Sequence, residues 1–160
     1  SPTERKHPMP EFSVPTHLHD WVKNHVSRYL ESGGSDGHMW DSAIAGGPGP
    51  IPTLLLATSG RRTGQAHTVP LIYSKTEGGF VVIASRGGTP EHPDWYLNLV
   101  ADPNVSIRVA TDVHDATART ASPDERGALW QQMAEIYPPY NAYQARTERE
   151  IPVVILEPVQ

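Results

Sequence analysis

The turn from Ser59 to Gln65 is the first segment whose residue types point to chemistry. It contains two glycines that flank Arg61, Arg62 and Thr63. Guanidinium groups bind phosphate in a bidentate manner, a threonine hydroxyl adds a donor, and glycines allow backbone amides to point into one concave site. The segment does not match the GxxxxGK[ST] loop of nucleotide-binding proteins. It fits either a phosphate site or a solvated turn whose arginines favour solubility.

A second candidate segment, residues 84–88 (ASRGG), follows a strongly apolar stretch. Its glycines permit a flat ligand to approach the backbone, and the Ser85 hydroxyl can hydrogen-bond a ring carbonyl or nitrogen. An ordinary strand-ending turn has the same composition. Farther along the chain, Trp95 and Asn98 share one face of a predicted helix, where they either line a ring pocket or pack into the core.

Three tyrosines, Tyr137, Tyr140 and Tyr143, recur at three-residue spacing in the segment YPPYNAY. Phenol side chains supply apolar area with a donor at the tip, which suits a planar oxidised substrate such as an enone or a quinone. A tyrosine can also donate a proton to the carbanion or enolate that remains after hydride addition. A tyrosine-rich packing corner is the alternative interpretation.

The charge of the chain indicates which classes of partner it can bind. The formal net charge is -5, which argues against a general nucleic-acid binder. Residues 45–90 nevertheless contain four cations and one anion, a net charge of +3. This basic middle of an acidic chain is either a pocket for an anionic small molecule or a chance cluster on solvated turns.

The residues that several other kinds of site require are absent from the sequence. There is no cysteine, which excludes disulfides, thiolate nucleophiles and Cys-ligated zinc or iron–sulfur sites. The histidines show no metal-site spacing, and no GxSxG motif is present, so we expect neither a metal nor a hydrolase triad. No apolar run reaches the ~18 residues of a membrane helix and the first residues lack a signal-peptide core, so a cytoplasmic protein is expected.

Hydrophobic periodicity predicts the helices and strands that carry these residues. We expect a flexible arm at residues 1–15 and one domain at residues 16–160, since about 100–150 residues are typical of a domain. A helix is predicted at residues 16–30, a glycine- and proline-rich loop at 37–50, a helix at 93–100, and a capping box from Ser122 to Glu125 that opens a helix carrying Leu129, Trp130 and Met133 on one face. Strands are predicted at residues 53–58, 67–74, 80–84, 104–109, 113–118 and 151–156, with Pro152 at a strand start or on an edge strand. The short connections favour a six-stranded antiparallel barrel with flanking helices, in the α+β or mainly β class.

Taken together, these segments resemble the deazaflavin-dependent nitroreductase family of actinobacteria. The matching stretches are LLLATSGRRTGQAHTVPLIY, FVVIASRGGTPEHPDWYLNLVADPNV and IYPPYNAYQARTEREIPVVILEP. The resemblance covers about residues 52–158, and the combination of stretches is more specific than any one of them. It implies a split β-barrel related to FMN-binding split barrels, and coenzyme F420 as the cofactor.

The resemblance also implies roles for individual positions. Arg61, Arg62 and Thr63 match the contact to the phosphate of the deazaflavin side chain. A cofactor channel and ring site is implied for the run His67, Thr68, Val69, Pro70, Leu71 and Ile72, for Ile83, Ala84, Ser85 and Arg86, and for Asp94, Trp95 and Asn98. The substrate pocket is implied at Tyr137, Tyr140 and Tyr143, with Tyr140 also near the cofactor.

The expected function is therefore that of an F420H2-dependent reductase. A deazaflavin carries hydride, and the protein must bind, orient and exclude solvent. Tyr137 is the first candidate proton donor and Ser85 the second. Expected acceptors are activated C=C bonds of enones and coumarin-type lactones, quinones and nitroaromatics. An FMN-dependent split-barrel oxidoreductase and a non-catalytic F420 carrier are the alternatives. Oligomeric state stays open, as does weak association with the inner face of the membrane through the amphipathic first helix.

Overall fold

The computed structural model describes residues 9–159. Eight strands form its sheet, namely β1 (Met39–Asp41), β2 (Pro50–Ser59), β3 (Ala66–Ile72), β4 (Ser74–Thr76), β5 (Gly79–Ile83), β6 (Asn104–Val109), β7 (Asp112–Thr120) and β8 (Val153–Pro158). The helices are α1 (Asp20–Glu31), α2 (Asp94–Ala101), α3 (Pro123–Ile136) and α4 (Pro139–Ala145), with short 3₁₀ turns at Ser42–Ala45 and Arg86–Gly88. Within these residues no helix is both long and apolar enough to span a bilayer.

All strand pairs are antiparallel, and the sheet order is β1-β2-β6-β7-β8-β5-β4. β1 and β3 pair with successive parts of the same edge of β2, β1 with residues 50–52 and β3 with residues 53–59. The sheet curls until β3 lies near β5. The pairing of β3 with β2 continues past Ile72, where the backbone amide of Tyr73 donates to the carbonyl of Pro52. This half-barrel with flanking helices confirms the predicted split-barrel class.

The number of strands differs from the predicted six, because β1 and β4 were not predicted. β1 is a three-residue strand inside the glycine- and proline-rich loop, and its pairing with residues 50–52 leaves no periodic signal. β4 arises because the predicted strand 67–74 breaks at Tyr73, after which Ser74 pairs with Val81 of β5. Pro152 precedes β8, which lies between β7 and β5, so the strand-start interpretation is confirmed and the edge interpretation is wrong.

The apolar runs of the sequence are continuous because both faces of the curled sheet are covered. Leu54 and Leu56 belong to a core cluster that also contains Trp95 and Leu99 of α2, whereas Leu55 between them packs on α1. β8 alternates in the same way between that core and a second cluster that contains residues of α3 and α4. The period of two in each strand therefore holds the helices on opposite faces of one sheet.

The capping box of α3 is present as predicted. The backbone amide of Ser122 donates to Glu125 Oε2 at 2.8 Å, and the Arg119 guanidinium donates to the same carboxylate at 2.6 Å. These donors, the guanidinium first, lower the pKa of Glu125 to about 2. Leu129 and Met133 are buried, with Trp130 packed beside them, as the predicted face requires.

Residues 9–19 run along the sheet before α1 begins. Ser106 Oγ donates to the carbonyl of Pro10 at 2.6 Å, and the amide of Ser13 donates to Thr68 Oγ1 at 3.0 Å. Residues 1–8 of the predicted arm lie outside the described residues. The predicted start of the first helix at residue 16 is wrong: His19 is extended and Asp20 begins the helix, where its carboxylate favours the positive end of the helix dipole.

Candidate active site

Two neighbouring cavities open beside the curled sheet. The first, called the polar cavity, has a volume of about 560 Å³ and the second, the aromatic cavity, about 390 Å³. Arg86, Pro93 and Trp95 line both, so the two cavities meet at these three residues. Of the remaining predicted site residues, the polar cavity contains Arg61, Arg62, Thr63, His67, Thr68, Val69, Asp94 and Asn98. The aromatic cavity contains Pro70, Leu71, Ile72, Ile83, Ser85, Tyr137, Tyr140 and Tyr143.

Ala84 is the one predicted site residue that lines neither cavity. Its side chain is fully buried in the core cluster, its amide donates to the carbonyl of Pro152, and its own carbonyl accepts from Arg149. Ala84 therefore contributes to the site through its backbone hydrogen bonds and not through its side chain. The strand alternation explains this, since Ala84 faces inward while Ile83 and Ser85 face the aromatic cavity.

The arginine turn between β2 and β3 is held by Asn98 of α2. Asn98 Oδ1 accepts from both the backbone amide and Nη1 of Arg61, at 3.1 and 2.9 Å, while its Nδ2 donates to Thr58 Oγ1 at 3.2 Å. Arg61 also pairs with Asp94 at 3.3 Å. Arg62 and Thr63 are exposed next to it. Because the Asn98 amide is engaged on both sides, Asn98 positions Arg61.

The turn at Arg86–Gly88 joins the two cavities. Arg86 has a φ of 44° and is followed by two glycines with φ of 64° and 81°, so three successive residues are left-handed. Arg86 pairs with Glu91 at 2.9 Å. A Cβ on Gly88 would lie 2.4 Å from the carbonyl oxygen of Tyr143, so only glycine allows this turn to contact the backbone of α4.

The three tyrosines lie together at the aromatic cavity. The Tyr137 hydroxyl donates to the carbonyl of Ala45 at 3.2 Å and is 3.0 Å from the Tyr143 hydroxyl. The Tyr137 and Tyr140 rings meet edge to face at 4.9 Å. Burial, followed by the neighbouring Tyr143 hydroxyl, raises the pKa of Tyr137, and burial is also the first cause of the raised pKa of Tyr140. Both phenols therefore stay protonated well above neutral pH.

Several residues of the cavities were not predicted. Trp21 of α1 and Trp40 of β1 stack with ring centroids 5.8 Å apart and line the aromatic cavity together with His25 and Thr53. His17 and Leu18 line the polar cavity. No spacing in the sequence connects these residues to the arginine or tyrosine segments, because α1 reaches the sheet only through the tertiary fold. The helix predicted at residues 16–30 was the one feature of the sequence that pointed to a structural role for this segment.

The arrangement suits a ligand with two parts of different chemistry. Cationic and hydroxyl side chains in the polar cavity match an anionic arm, and the apolar and phenolic walls of the aromatic cavity match a planar ring system. The glycine turn at the junction lets such a ring approach the backbone closely. Within residues 9–159, no group of three or more His, Asp or Glu side chains is arranged to hold a metal ion.

Comparison with known proteins links this chain to F420-dependent reductases. The family model described as F420H(2)-dependent quinone reductase matches residues 21–158. The F420H(2)-dependent quinone reductase Rv1261c of Mycobacterium tuberculosis is 36% identical over 148 residues, covering 85% of this chain and 95% of that protein. A solved structure described as an F420-H2 dependent reductase, FDR-A, is 42% identical with a TM-score of 0.62, over 66% of this chain and 94% of the other.

Two further structures complete the comparison. One, described as a domain-swapped dimer, is 40% identical with a TM-score of 0.65 over 86% of this chain and 98% of the other. HutZ, the heme storage protein of Vibrio cholerae, is 21% identical with a TM-score of 0.51 and shares the fold alone, over 68% of this chain and 82% of that one. The FMN-dependent and non-catalytic alternatives find no support beside the quinone reductase match. The chain belongs to the F420H(2)-dependent quinone reductase family, whose members are oxidoreductases with coenzyme F420 as their cofactor.

Proposed function

We propose that the polar cavity binds the phosphate and carboxylate arm of F420, and that the aromatic cavity receives an electron-poor planar acceptor. The observation that carries this proposal is the junction of the two cavities at Arg86, Pro93 and Trp95. A ring bound at that junction is in reach of both cavities. Arg61, Arg62 and Thr63 then hold the phosphate, and residues 67–72 of β3 form one wall of the channel.

The donor set of this structure fits the cofactor. A phosphodiester is recognised by planar guanidinium donors and hydroxyl groups, which the turn of Arg61, Arg62 and Thr63 supplies. Arg86 adds a third cation where the cavities meet. The deazaflavin ring is planar and largely apolar, and Trp95 and Pro93 offer it flat surfaces. Arg61 and Arg62 therefore face the anionic arm, and Arg86 is the cation beside the ring.

Reduced F420 supplies a hydride, so the protein must bring the acceptor close and provide a proton. We assign the proton to Tyr137, with Ser85 as the second candidate, because both line the aromatic cavity. The Ala45 carbonyl can only accept a hydrogen bond, so a proton that leaves Tyr137 Oη is replaced through the Tyr143 hydroxyl, 3.0 Å away. The rings of Tyr140 and Trp40 pack against Tyr137.

Quinones are the acceptor class that the family name supports, and we extend the proposal to enones, coumarin-type lactones and nitroaromatics. All four are planar, electron-poor and apolar over most of their surface. They differ in the atom that receives the proton. A rigid aromatic wall with a phenol donor serves each of them, because stacking on aromatic rings depends on shape more than on the identity of the polar group.

We expect Tyr137→Phe to slow acceptor reduction about 10²-fold, because general acid catalysis contributes roughly that much. Affinity for F420 should stay within twofold of wild type, as roughly expected for a residue in the other cavity. The measurement is single-turnover oxidation of F420H2 without oxygen, with menadione and cyclohexenone as acceptors. Tyr96→Phe is the matched control, because the Tyr96 hydroxyl bonds Thr120 outside both cavities.

Unchanged turnover in Tyr137→Phe would remove this residue from the mechanism and transfer the question to Ser85→Ala. If the wild-type protein binds F420H2 and leaves it unoxidised with every acceptor, the proposed reductase activity is wrong.

Two substitutions in the polar cavity should move F420 affinity in opposite directions. Arg62→Ala removes a phosphate donor, and we expect affinity to fall about tenfold. Asp94→Asn removes the carboxylate that pairs with Arg61, and affinity should rise about two- to fivefold. Tryptophan fluorescence quenching at low and high salt measures both changes, and screening should shrink them at high salt. Changes of the same sign in the two variants contradict the placement of the anionic arm here.

A further inference from the structure

Arg149, in the connection between α4 and β8, uses all three guanidinium nitrogens on one short segment. Nη2 donates to the carbonyl of Ser85 at 2.7 Å and Nε to the carbonyl of Thr89 at 2.8 Å. Nη1 is 3.1 Å from His92 Nδ1 and makes a longer contact of 3.4 Å to the carbonyl of Ala84. All these acceptors belong to residues 84–92, which include the left-handed turn between the cavities.

This segment needs an external support. Arg86 is a non-glycine residue with positive φ, a conformation that persists only where the surroundings impose it. Inside the turn, the Gly88 amide donates to the Ser85 carbonyl at 2.9 Å. A planar guanidinium fork can add donors to this and neighbouring carbonyls at fixed angles. Arg149 does so from a different part of the chain, so it fixes the turn without forming part of it.

We propose that Arg149 is the positioning residue of the site: its guanidinium locks residues 85–92 in the conformation that places Ser85 and Arg86 where the two cavities meet. The inference rests on the proposed placement of the cofactor. It adds a residue that lines neither cavity and that the sequence analysis did not identify. Since arginine only donates, His92 Nδ1 accepts, and the His92 proton lies on Nε2.

Electrostatics supports the same arrangement. Burial, followed by the charge of Arg149, lowers the pKa of His92, which keeps that imidazole neutral and able to accept. Burial and then the charge of Arg86 lower the pKa of Arg149. The two positive charges therefore act on each other, and an anionic ligand near this turn is favoured.

The test compares Arg149→Gln with wild type in two measurements. The first is trypsin cleavage of the cofactor-free protein after Arg86, with cleavage after Arg62 on the exposed β2–β3 turn as the internal reference. We expect the ratio to rise at least about tenfold, because the turn loses the hydrogen bonds of a charged donor. The second is F420 affinity by tryptophan quenching, which should fall at least about tenfold for the same reason.

Arg119→Gln is the matched control. Arg119 also donates to several acceptors, Glu125 and Glu157, but it lies on β7 away from both cavities. Its loss should leave the cleavage ratio and the F420 affinity unchanged even if the melting temperature falls. Arg149→Lys keeps the positive charge and loses the planar guanidinium fork. On a logarithmic scale, its changes in cleavage ratio and F420 affinity should be roughly a third or more of those in Arg149→Gln. It decides the question if Arg149→Gln does not fold.

Either a cleavage ratio or an F420 affinity within twofold of wild type in the Arg149 variants would overturn the proposal. The two proposals fail in different ways. If wild-type protein does not bind F420, the proposed function is wrong, and the cleavage ratio still reports whether Arg149 locks the turn. If wild type binds F420 and the Arg149 variants bind it equally well, only the positioning role is wrong.

Discussion

Replacing Gly88 by alanine should unfold the protein at a markedly lower urea concentration, with a loss of about 3 kcal/mol or more in the free energy of unfolding. Two costs add at this position. The φ of 81° is strained for a residue with a Cβ, and that Cβ would lie 2.4 Å from the Tyr143 carbonyl oxygen and 2.8 Å from its Cα. Both atoms are backbone, so the turn and α4 must separate.

A substitution of the neighbouring glycine distinguishes the cost of backbone strain from the cost of the steric clash. Gly87 has a φ of 64° but nothing within 4 Å of an added Cβ, so Gly87→Ala should lose only about 1 kcal/mol, from strain alone. We also expect F420 affinity to fall in Gly88→Ala much more than in Gly87→Ala, because only the former moves Arg86 relative to the tyrosines. Equal losses of stability in the two variants would show that the contact with Tyr143 has no energetic importance.

Asn98→Leu should weaken F420 binding more than tenfold and destabilise the fold by about 2–3 kcal/mol. Asn98 is buried, and its amide group serves the backbone and side chain of Arg61 on one side and Thr58 on the other. Leucine has a similar volume and leaves these groups without partners. The measurements are urea unfolding and calorimetric titration with F420.

Two further asparagine variants test the role assigned to Asn98. Asn104→Ala is the control, since Asn104 is exposed and bonds only Asp102 locally, and its effect should be within about 0.5 kcal/mol. Asn98→Asp keeps the oxygen that accepts from Arg61, so it should retain more F420 affinity than Asn98→Leu. If Asn98→Leu binds F420 as tightly as wild type, Arg61 does not need its support and the assigned role of Asn98 is wrong.

The sequence was sufficient for the elements that carry a strong local period. The strands β5, β6 and β8 and the helix α2 lie within about two residues of their predicted bounds, because each combines an apolar run with a clear turn or cap. The capping box at Ser122 is of the same kind, since its two partners are three residues apart. Local chemistry fixed these features, and the fold did not change them.

What the sequence did not predict depends on contacts between distant residues. β1 exists only because residues 50–52 are available to pair with it, and Trp21 meets Trp40 only after α1 has packed on the sheet. Asn98 illustrates the same limit in the site. The resemblance implied a place for Asn98 on the helix at the cofactor, and the structure shows that it lines the polar cavity and bonds Arg61.

The role of Arg149 could not be predicted from the spacing of residues in the sequence. It lies about sixty residues beyond the turn it supports, in a connection with no periodic pattern, and a charged residue there reads as solvated surface. The convergence of four acceptors on its guanidinium distinguishes it from the other arginines of residues 9–159.

The most direct test of the two-cavity arrangement is the difference electron density of a crystal soaked with F420. We expect the phosphate within hydrogen-bond distance of the guanidinium groups and hydroxyl of Arg61, Arg62 and Thr63, with the deazaflavin ring at Arg86 and Trp95. Density for the phosphate among Tyr137, Tyr140 and Tyr143, or for the ring outside both cavities, would contradict it.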